Sequence, residues 1–231
     1  MKTTFSLCKA LHIASKTPYT ESVKGLVMAY SDSGYRASRQ DISFVEHDGW
    51  LVGQLLVATP LVVGDVFTQS VIYLYAHNDK GAMGLIINKP MEMSHCASLF
   101  QQIAPNIGGN IDDLSVYHGG PVETHRGFII HSTDYAQPDT LCSDSGVCVT
   151  ANVKTLRDIA AGGGPRQRVM MVGYAGWEAG QLEAEIEANS WISVPATPEL
   201  VFHTPDEAKW SVAAKSLGID MVRYSSVAGH A

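Results

Sequence analysis

The sequence contains no Cys-x-x-Cys pair, no Gly-x-Ser-x-Gly elbow and no phosphate-loop ending of the Gly-Lys-Ser/Thr type. It also has no apolar run of the ~18 residues needed to span a membrane. Each absence removes a class. Without Cys-x-x-Cys, the cysteines Cys8, Cys96, Cys142 and Cys148 do not read as a zinc ribbon or a thioredoxin-type site. Cys142 and Cys148 are close enough in sequence to pair. Residues 1–20 have a basic start but no continuous apolar stretch, so the expectation is a cytoplasmic protein with reduced thiols. No His-x-x-x-His pair falls on a predicted helix, so no zinc site is expected, and no cofactor is implied. The missing serine elbow leaves His118-Gly119-Gly120-Pro121 as a tight turn, despite its superficial match to an esterase oxyanion turn. Gly162-Gly163-Gly164-Pro165 follows a predicted helix instead of opening one, and reads as a helix stop.

Charge is scarce too, at 17% of residues against 45% hydrophobic, the composition of an ordinary soluble globular chain. The formal net charge of −7 is unevenly spread. Residues 1–40 carry six Lys/Arg and two acids, a net of +4; the remainder carries 10 basic and 21 acidic residues, a net of −11. An acidic body repels phosphate backbones, so non-specific DNA binding is not expected. Residues 1–46 are Ser/Thr-rich, acid-poor and aperiodic. They read as a poorly packed extension, with Met28 an alternative start, and 47–231 reads as one domain.

What the chain does have is glycine locked beside aromatics. One segment is Gly173-Tyr174-Ala175-Gly176-Trp177, running on to Gly180-Gln181-Leu182-Glu183 and Trp191; the other is His118-Gly119-Gly120-Pro121-Val122. Such glycines mark backbone that something approaches closely. Both segments are expected to be turns at strand ends, lying side by side around one surface depression. Strands are predicted at Leu51–Ala58, Ser70–His77, Ala82–Asn88, Asp113–Tyr117, Arg126–His131, Val169–Val172, Trp191–Val194 and Leu200–Phe202. Helices are predicted at Ser94–Ile103, Asn152–Ala161, Gly180–Ala188 and from the Thr204-Pro205-Asp206-Glu207 capping box to Leu217. Residues 132–146 form a long polar loop, a candidate lid. The mixture lacks βαβ alternation and reads as α+β with a strongly bent mixed sheet.

On the helix after Gly180, Glu183 and Glu187 share a face, and Trp177, Gln181 and Glu185 fall near another. Paired carboxylates suit Mg²⁺, but the expectation is a solvated acidic surface. Trp177 and Trp191 read as packing residues whose indoles each find one hydrogen-bond partner. His131, ending a strand before the loop, is the candidate for acid–base work, set against a structural histidine. Arg126 and His131 are five apart, so on a regular strand only one faces the depression; Arg126 is preferred, as a guanidinium beside free backbone N–H groups makes an anion site.

The segments Gly53-Gln54-Leu55-Leu56-Val57-Ala58-Thr59-Pro60, Gly81-Ala82-Met83-Gly84-Leu85-Ile86-Ile87-Asn88-Lys89-Pro90, Gly119-Gly120-Pro121-Val122, Gly173-Tyr174-Ala175-Gly176-Trp177 and Gly180-Gln181-Leu182-Glu183 occur in a fixed order. With Glu185 and the closing Gly229-His230-Ala231, they make the chain from about Trp50 resemble the AlgH/YqgE-like family of bacterial proteins. Lys89 stands where many members have Arg, and Glu178-Ala179 where a small residue or Pro is commoner. The resemblance implies a bifurcated sheet rolled into a pseudo-barrel with flanking helices, a cytoplasmic location, and a function known mainly through the label of alginate regulator.

Three functions follow as expectations. The first is a cytoplasmic regulatory or binding protein whose glycine-lined groove takes a small anion or a protein partner. Its binding residues are Asn88, Gly119, Gly120, Arg126, Gly173, Gly176 and Trp177. The second is a hydrolase acting on an anionic or phosphorylated substrate, with His131, Arg126 and Asn88 as polar groups. The third is a transcriptional regulator that binds DNA directly, which the acidic body and the lack of a helix-turn-helix oppose.

Overall fold

The computed structural model describes residues 50–64, 66–92, 103, 111 and 113–219. The predicted extension 1–46, the closing Gly229-His230-Ala231 and all of the predicted Ser94–Ile103 helix except Ile103 lie outside the described residues.

The chain first builds a three-stranded meander. β1 (Gln54–Ala58), β2 (Val71–Asn78) and β3 (Gly81–Ile86) pair antiparallel, with Leu56 opposite Ile72 and Ile72 opposite Ile86. Their β-branched and aromatic residues suit a pleated surface buried on both faces. The β2–β3 turn is set by Asn78, whose Oδ1 accepts the Lys80 N–H (2.9 Å), with Gly81 at φ +134°. Two strands follow, β4 (Val116–His118) and β5 (Val122–Ser132), then the short pair β6 (Leu141–Cys142) and β7 (Val147–Thr150).

Helix α1 (Val153–Ala160) is capped by Asn152, which accepts the Lys154 N–H at 2.8 Å. β8 (Arg168–Glu178), α2 (Gln181–Glu187), β9 (Trp191–Pro195), a π-helical turn (Glu199–His203) and α3 (Asp206–Lys215) complete the described chain.

Among the described residues the sheet runs β6-β7-β5-β8-β3-β2-β1-β9, with β4 added on β8. All pairings are antiparallel except β4 with β8. β8 is where the sheet forks. Its first half pairs with β4 and β5, and its second half, Ala175–Glu178, pairs with β3. The two halves curl toward each other: Val147 and Val149 near one end of the strand order share a buried cluster with Leu55, Val57 and Val194 at the other. The result is the expected bent, bifurcated α+β sheet, a half-barrel with a few helices.

Successive strand residues face opposite sides. Leu55, Val57, Val71, Tyr73 and Leu85 line the inside of the curl with Ala213 and Ala214 of α3. Leu56, Ile72, Leu74 and Ile86 face outward under Leu182 of α2. Ile129, Met170 and Val172 pack beneath Leu156 and Ile159 of α1.

Five local expectations are corrected. Leu200–Phe202 is not a strand but a π-helical turn, with the Thr204 N–H donating to Glu199 O (3.0 Å). Leu200 and Val201 are both buried, and two adjacent buried residues carry no strand alternation. The Thr204 capping box is not formed: its hydroxyl donates back to Glu199 O (3.1 Å), and Pro205 precedes α3 with no side-chain cap. The 132–146 loop contains β6, and Cys142 and Cys148 are joined by a disulfide across β6 and β7, not reduced. They sit directly opposite in register with Cα atoms 4.1 Å apart, close enough for the bond. Finally, Gly173–Trp177 is not a turn at a strand end; it lies within β8.

Candidate functional site

The two glycine segments meet, backbone against backbone. The Gly119 N–H donates to Val172 O (2.8 Å), and the Ile86 N–H donates to Gly119 O (2.9 Å). Gly120, at φ +154°, lies against the Tyr174 and Ala175 backbone, and Gly173, at φ +74°, against the carbonyls of Gly120 and Val122. A Cβ at Gly120 would fall inside the Tyr174 carbonyl group, so only glycine fits. Gly119, Gly120 and Gly173 are buried, whereas Gly176 is exposed farther along β8. The glycines thus form a junction where the sheet forks, and the Gly119 N–H is already used within it.

Gly173 also reshapes β5. Val172 pairs with Gly127 and Tyr174 with Val122, so a single β8 residue faces four β5 residues, Glu123–Arg126. Those four bulge out of the sheet, starting with Glu123 at φ +46°. Arg126 stands on this excursion. Its guanidinium lies 5.0 Å from the centre of the Phe128 ring and donates to Glu123 Oε2 at 3.1 Å. Phe128 in turn packs against Tyr75 and Tyr174, with ring centres 5.7 and 6.0 Å away. Arg126 therefore caps an aromatic floor at the rim of the curl, 37% exposed at the side chain.

The other predicted residues do not join it with free polar groups. Asn88 extends the β2–β3 pairing: its Oδ1 accepts the Val71 N–H (2.9 Å) and its Nδ2 donates to Gln69 O (2.9 Å). Trp177 is buried on the outward face, its indole donating to Glu185 Oε2 at 2.9 Å. His131 is fully buried. Its Nδ1 lies 2.9 Å from Ser132 O, which can only accept, so Nδ1 carries the proton. Nε2 then accepts from Thr150 Oγ1 (2.8 Å), which is itself 2.8 Å from Thr140 Oγ1. Burial lowers the His131 pKa from 6.5, consistent with a neutral ring. Asn88, His131 and Arg126 thus have different partners, and the first two are committed to holding backbone and hydroxyls.

The acidic surface of α2 is more engaged than expected. Glu185 Oε2 accepts from Trp177 and also from Trp191 (2.7 Å), while Oε1 accepts from Gln181 (2.9 Å). The two indoles meet edge-on with centres 6.0 Å apart. One carboxylate thereby satisfies two buried N–H donors and pins α2 to β8 and β9. Glu183 faces His77: the Leu51 N–H donates to His77 Nδ1 (3.1 Å), so Nε2 carries the proton toward Glu183 Oε1 (2.8 Å). The four-residue spacing of Gln181 and Glu185 signalled the first cluster; nothing local in the sequence signalled the second.

Nor did the sequence reveal Lys209. It is only 3% exposed, and its Nζ donates to Ile87 O (2.9 Å) and Asp206 Oδ1 (2.7 Å), 5.4 Å from the centre of the Tyr117 ring. The Tyr117 hydroxyl donates to Asp206 Oδ2 (3.1 Å). Burial first, and the Asp206 charge second, push the Tyr117 pKa up to about 12. Among the described residues no group of three or more His, Cys, Asp or Glu is placed to hold a metal, and no helix is long and apolar enough to cross a membrane.

A half-barrel sheet forked at a glycine junction, with helices on both faces, defines an α+β protein of the pseudo-barrel type. The AlgH-like family model matches residues 55–222, and the chain belongs to that family. A UPF0301 protein of Methylobacterium nodulans is 46% identical over 190 residues, spanning 79% of this chain and 90% of that relative. Another, from Rhodospirillum rubrum, is 44% identical across 80% of this chain and 97% of its own. The solution structure of the AlgH protein from Pseudomonas aeruginosa matches with a TM-score of 0.65 at 37% identity, over 82% of this chain and 100% of that one. A Corynebacterium diphtheriae protein, DIP2367, shares the fold at a TM-score of 0.60 with 18% identity.

Proposed function

We propose that this chain is a cytoplasmic binding protein that acts in regulation through a partner or ligand bearing an anionic group, taken at Arg126. The reading rests on one observation: the β5 excursion holds a half-exposed guanidinium over the Phe128 ring, and among the described residues its ion pair is with the half-buried Glu123 carboxylate. A single ion pair at the surface rim contributes on the order of 1 kcal/mol, so an incoming carboxylate or phosphate can displace Glu123. The guanidinium presents a fork of donors matched to either group. Cytoplasmic placement follows the family resemblance. A hydrolytic role is less supported, because the polar groups of Asn88 and His131 are committed to backbone and hydroxyl partners. Direct DNA binding is disfavoured by the −11 charge of the chain beyond residue 40.

The test is an NMR titration with inorganic phosphate in one arm and an acidic peptide in the other. Shifts should centre on Glu123–Phe128. Glu123→Gln should tighten binding several-fold, and Arg126→Ala should remove it. The arm that saturates at lower concentration identifies a phosphate or a peptide carboxylate as the ligand. Binding unchanged in Arg126→Ala, or no shift at these residues in either arm, refutes the proposal.

A further inference from the structure

One end of the sheet is held in an unusual way. β6 is the edge strand and only two residues long, paired to β7 through Leu141 opposite Val149 and Cys142 opposite Cys148. Two register pairs are a weak hold on an edge strand, since each residue ordered loses backbone freedom. Beside that ladder stand the Cys142–Cys148 bond, the Thr140–Thr150 hydroxyl contact (2.8 Å) and a dock from the core. The Tyr73 hydroxyl reaches up from the core to Val147 O (3.0 Å) and sits 2.9 Å from Ser143 Oγ. Beneath the hairpin, Val147 and Val149 belong to the inner cluster with Tyr73. Releasing β6 would uncover the outer edge of β7 and the rim of the core, while the pairing of β7 with β5 stayed intact.

We propose that the Cys142–Cys148 bond is a reversible redox latch, whose reduction by a low-molecular-weight thiol frees β6 and loosens the 133–146 segment. The exchange is balanced without any further reactant. A thiolate attacks one sulfur, forming a mixed disulfide and expelling the other protein thiolate. A second thiol attacks the mixed disulfide, yielding the small-molecule disulfide and a protein dithiol. The small-molecule disulfide drives the reverse reaction. Both cysteines are buried, at 1% and 0% exposure, so attack requires the hairpin to open. Opening breaks two register pairs at an edge and leaves the core strands in place, which makes the bond reducible in the folded protein. The reactive state is thus built into a two-residue edge strand whose covalent tie to β7 is the Cys142–Cys148 bond.

The experiment uses the full chain and glutathione. Protein purified without reductant is alkylated and its peptides weighed, then equilibrated across ratios of reduced to oxidised glutathione, with hydrogen exchange read at each. The expected result is a bonded Cys142–Cys148 pair that reduces natively. Exchange at residues 141–149 should then rise at least ten-fold, with β2 and β3 unchanged. The double variant Cys142→Ser/Cys148→Ser should show the reduced exchange pattern at every ratio. Three results overturn the proposal: both cysteines alkylated in the unreduced native protein, a bond that yields only when the protein is unfolded, or reduction with no change in exchange at 141–149. The variant is read against the reduced wild type, so a folding defect is distinguished from an open latch by its exchange at β2 and β3.

Discussion

The glycine junction and the β6–β7 hairpin both bring chain segments into unusually close approach, by opposite means. At the junction, Gly119, Gly120 and Gly173 let main chain lie directly on main chain. At the hairpin, the approach is made by side chains: a disulfide, the Tyr73 hydroxyl, and the Thr140–Thr150–His131 chain behind it. Backbone contacts cannot move aside, whereas side chains rotate, titrate and change oxidation state. The first region is therefore suited to holding the fork, and the second to responding to conditions.

The largest expected effect lies at the junction. Gly120→Ala places a methyl group inside the Tyr174 and Ala175 backbone and should cost more than about 3 kcal/mol or abolish folding. Gly162→Ala, also at positive φ (+81°) but with nothing within 4 Å, should cost only about 1 kcal/mol. Denaturant unfolding of the pair measures the backbone contact itself; equal losses would mean that conformational strain, not close approach, explains the glycines.

A smaller loss is expected at the far half of β8. Glu185→Ala leaves two buried indole N–H groups without an acceptor and should cost about 2–4 kcal/mol. Glu185→Gln keeps acceptor oxygen and should lose less. Thermal unfolding compares the two, and an Ala variant as stable as wild type would show that the indoles find other partners.

The smallest effect should appear only with pH, at the hairpin. Burial lowers the His131 pKa in the fold from 6.5. Below that value the unfolded chain binds the extra proton first. The stability contribution is therefore complete above pH 6.5 and lost as pH falls from there toward the folded pKa, with a slope of at most ~1.4 kcal/mol per pH unit. His131→Asn, which does not titrate, should flatten that part of the profile. An unchanged profile in the variant would place the titration elsewhere.

Much of the framework was legible in the chain. The β2 and β3 runs announce themselves by β-branched and aromatic residues, and α1 by the glycines that stop it. The proximity of the two glycine segments was also legible, because clustered glycine signals close approach. Their local form was not. Gly173 and Gly176 read as a turn, since glycine in a strand and glycine in a turn leave the same mark; pairing with β3 and β5 makes them a strand. β7 was missed because Val147–Thr150 is buried on both faces and shows no alternation.

Local interactions, then, account for what the amino-acid order dictates unaided: periodicity, caps, turns and the positions where only glycine is tolerated. Periodicity, caps and turns depend on neighbours a few residues away, whereas the glycine positions mark close approach by a segment that the sequence alone does not name. The fork in β8, the excursion that lifts Arg126, the clamp of Glu185 on two tryptophans, the burial of Lys209 and the closure of Cys142 on Cys148 were decided in three dimensions. Most of them depend on which distant strands meet, and the cysteine pair depends on two short strands meeting in one particular register. That is set by the collective burial of the sheet's two faces, a property no short window of sequence contains.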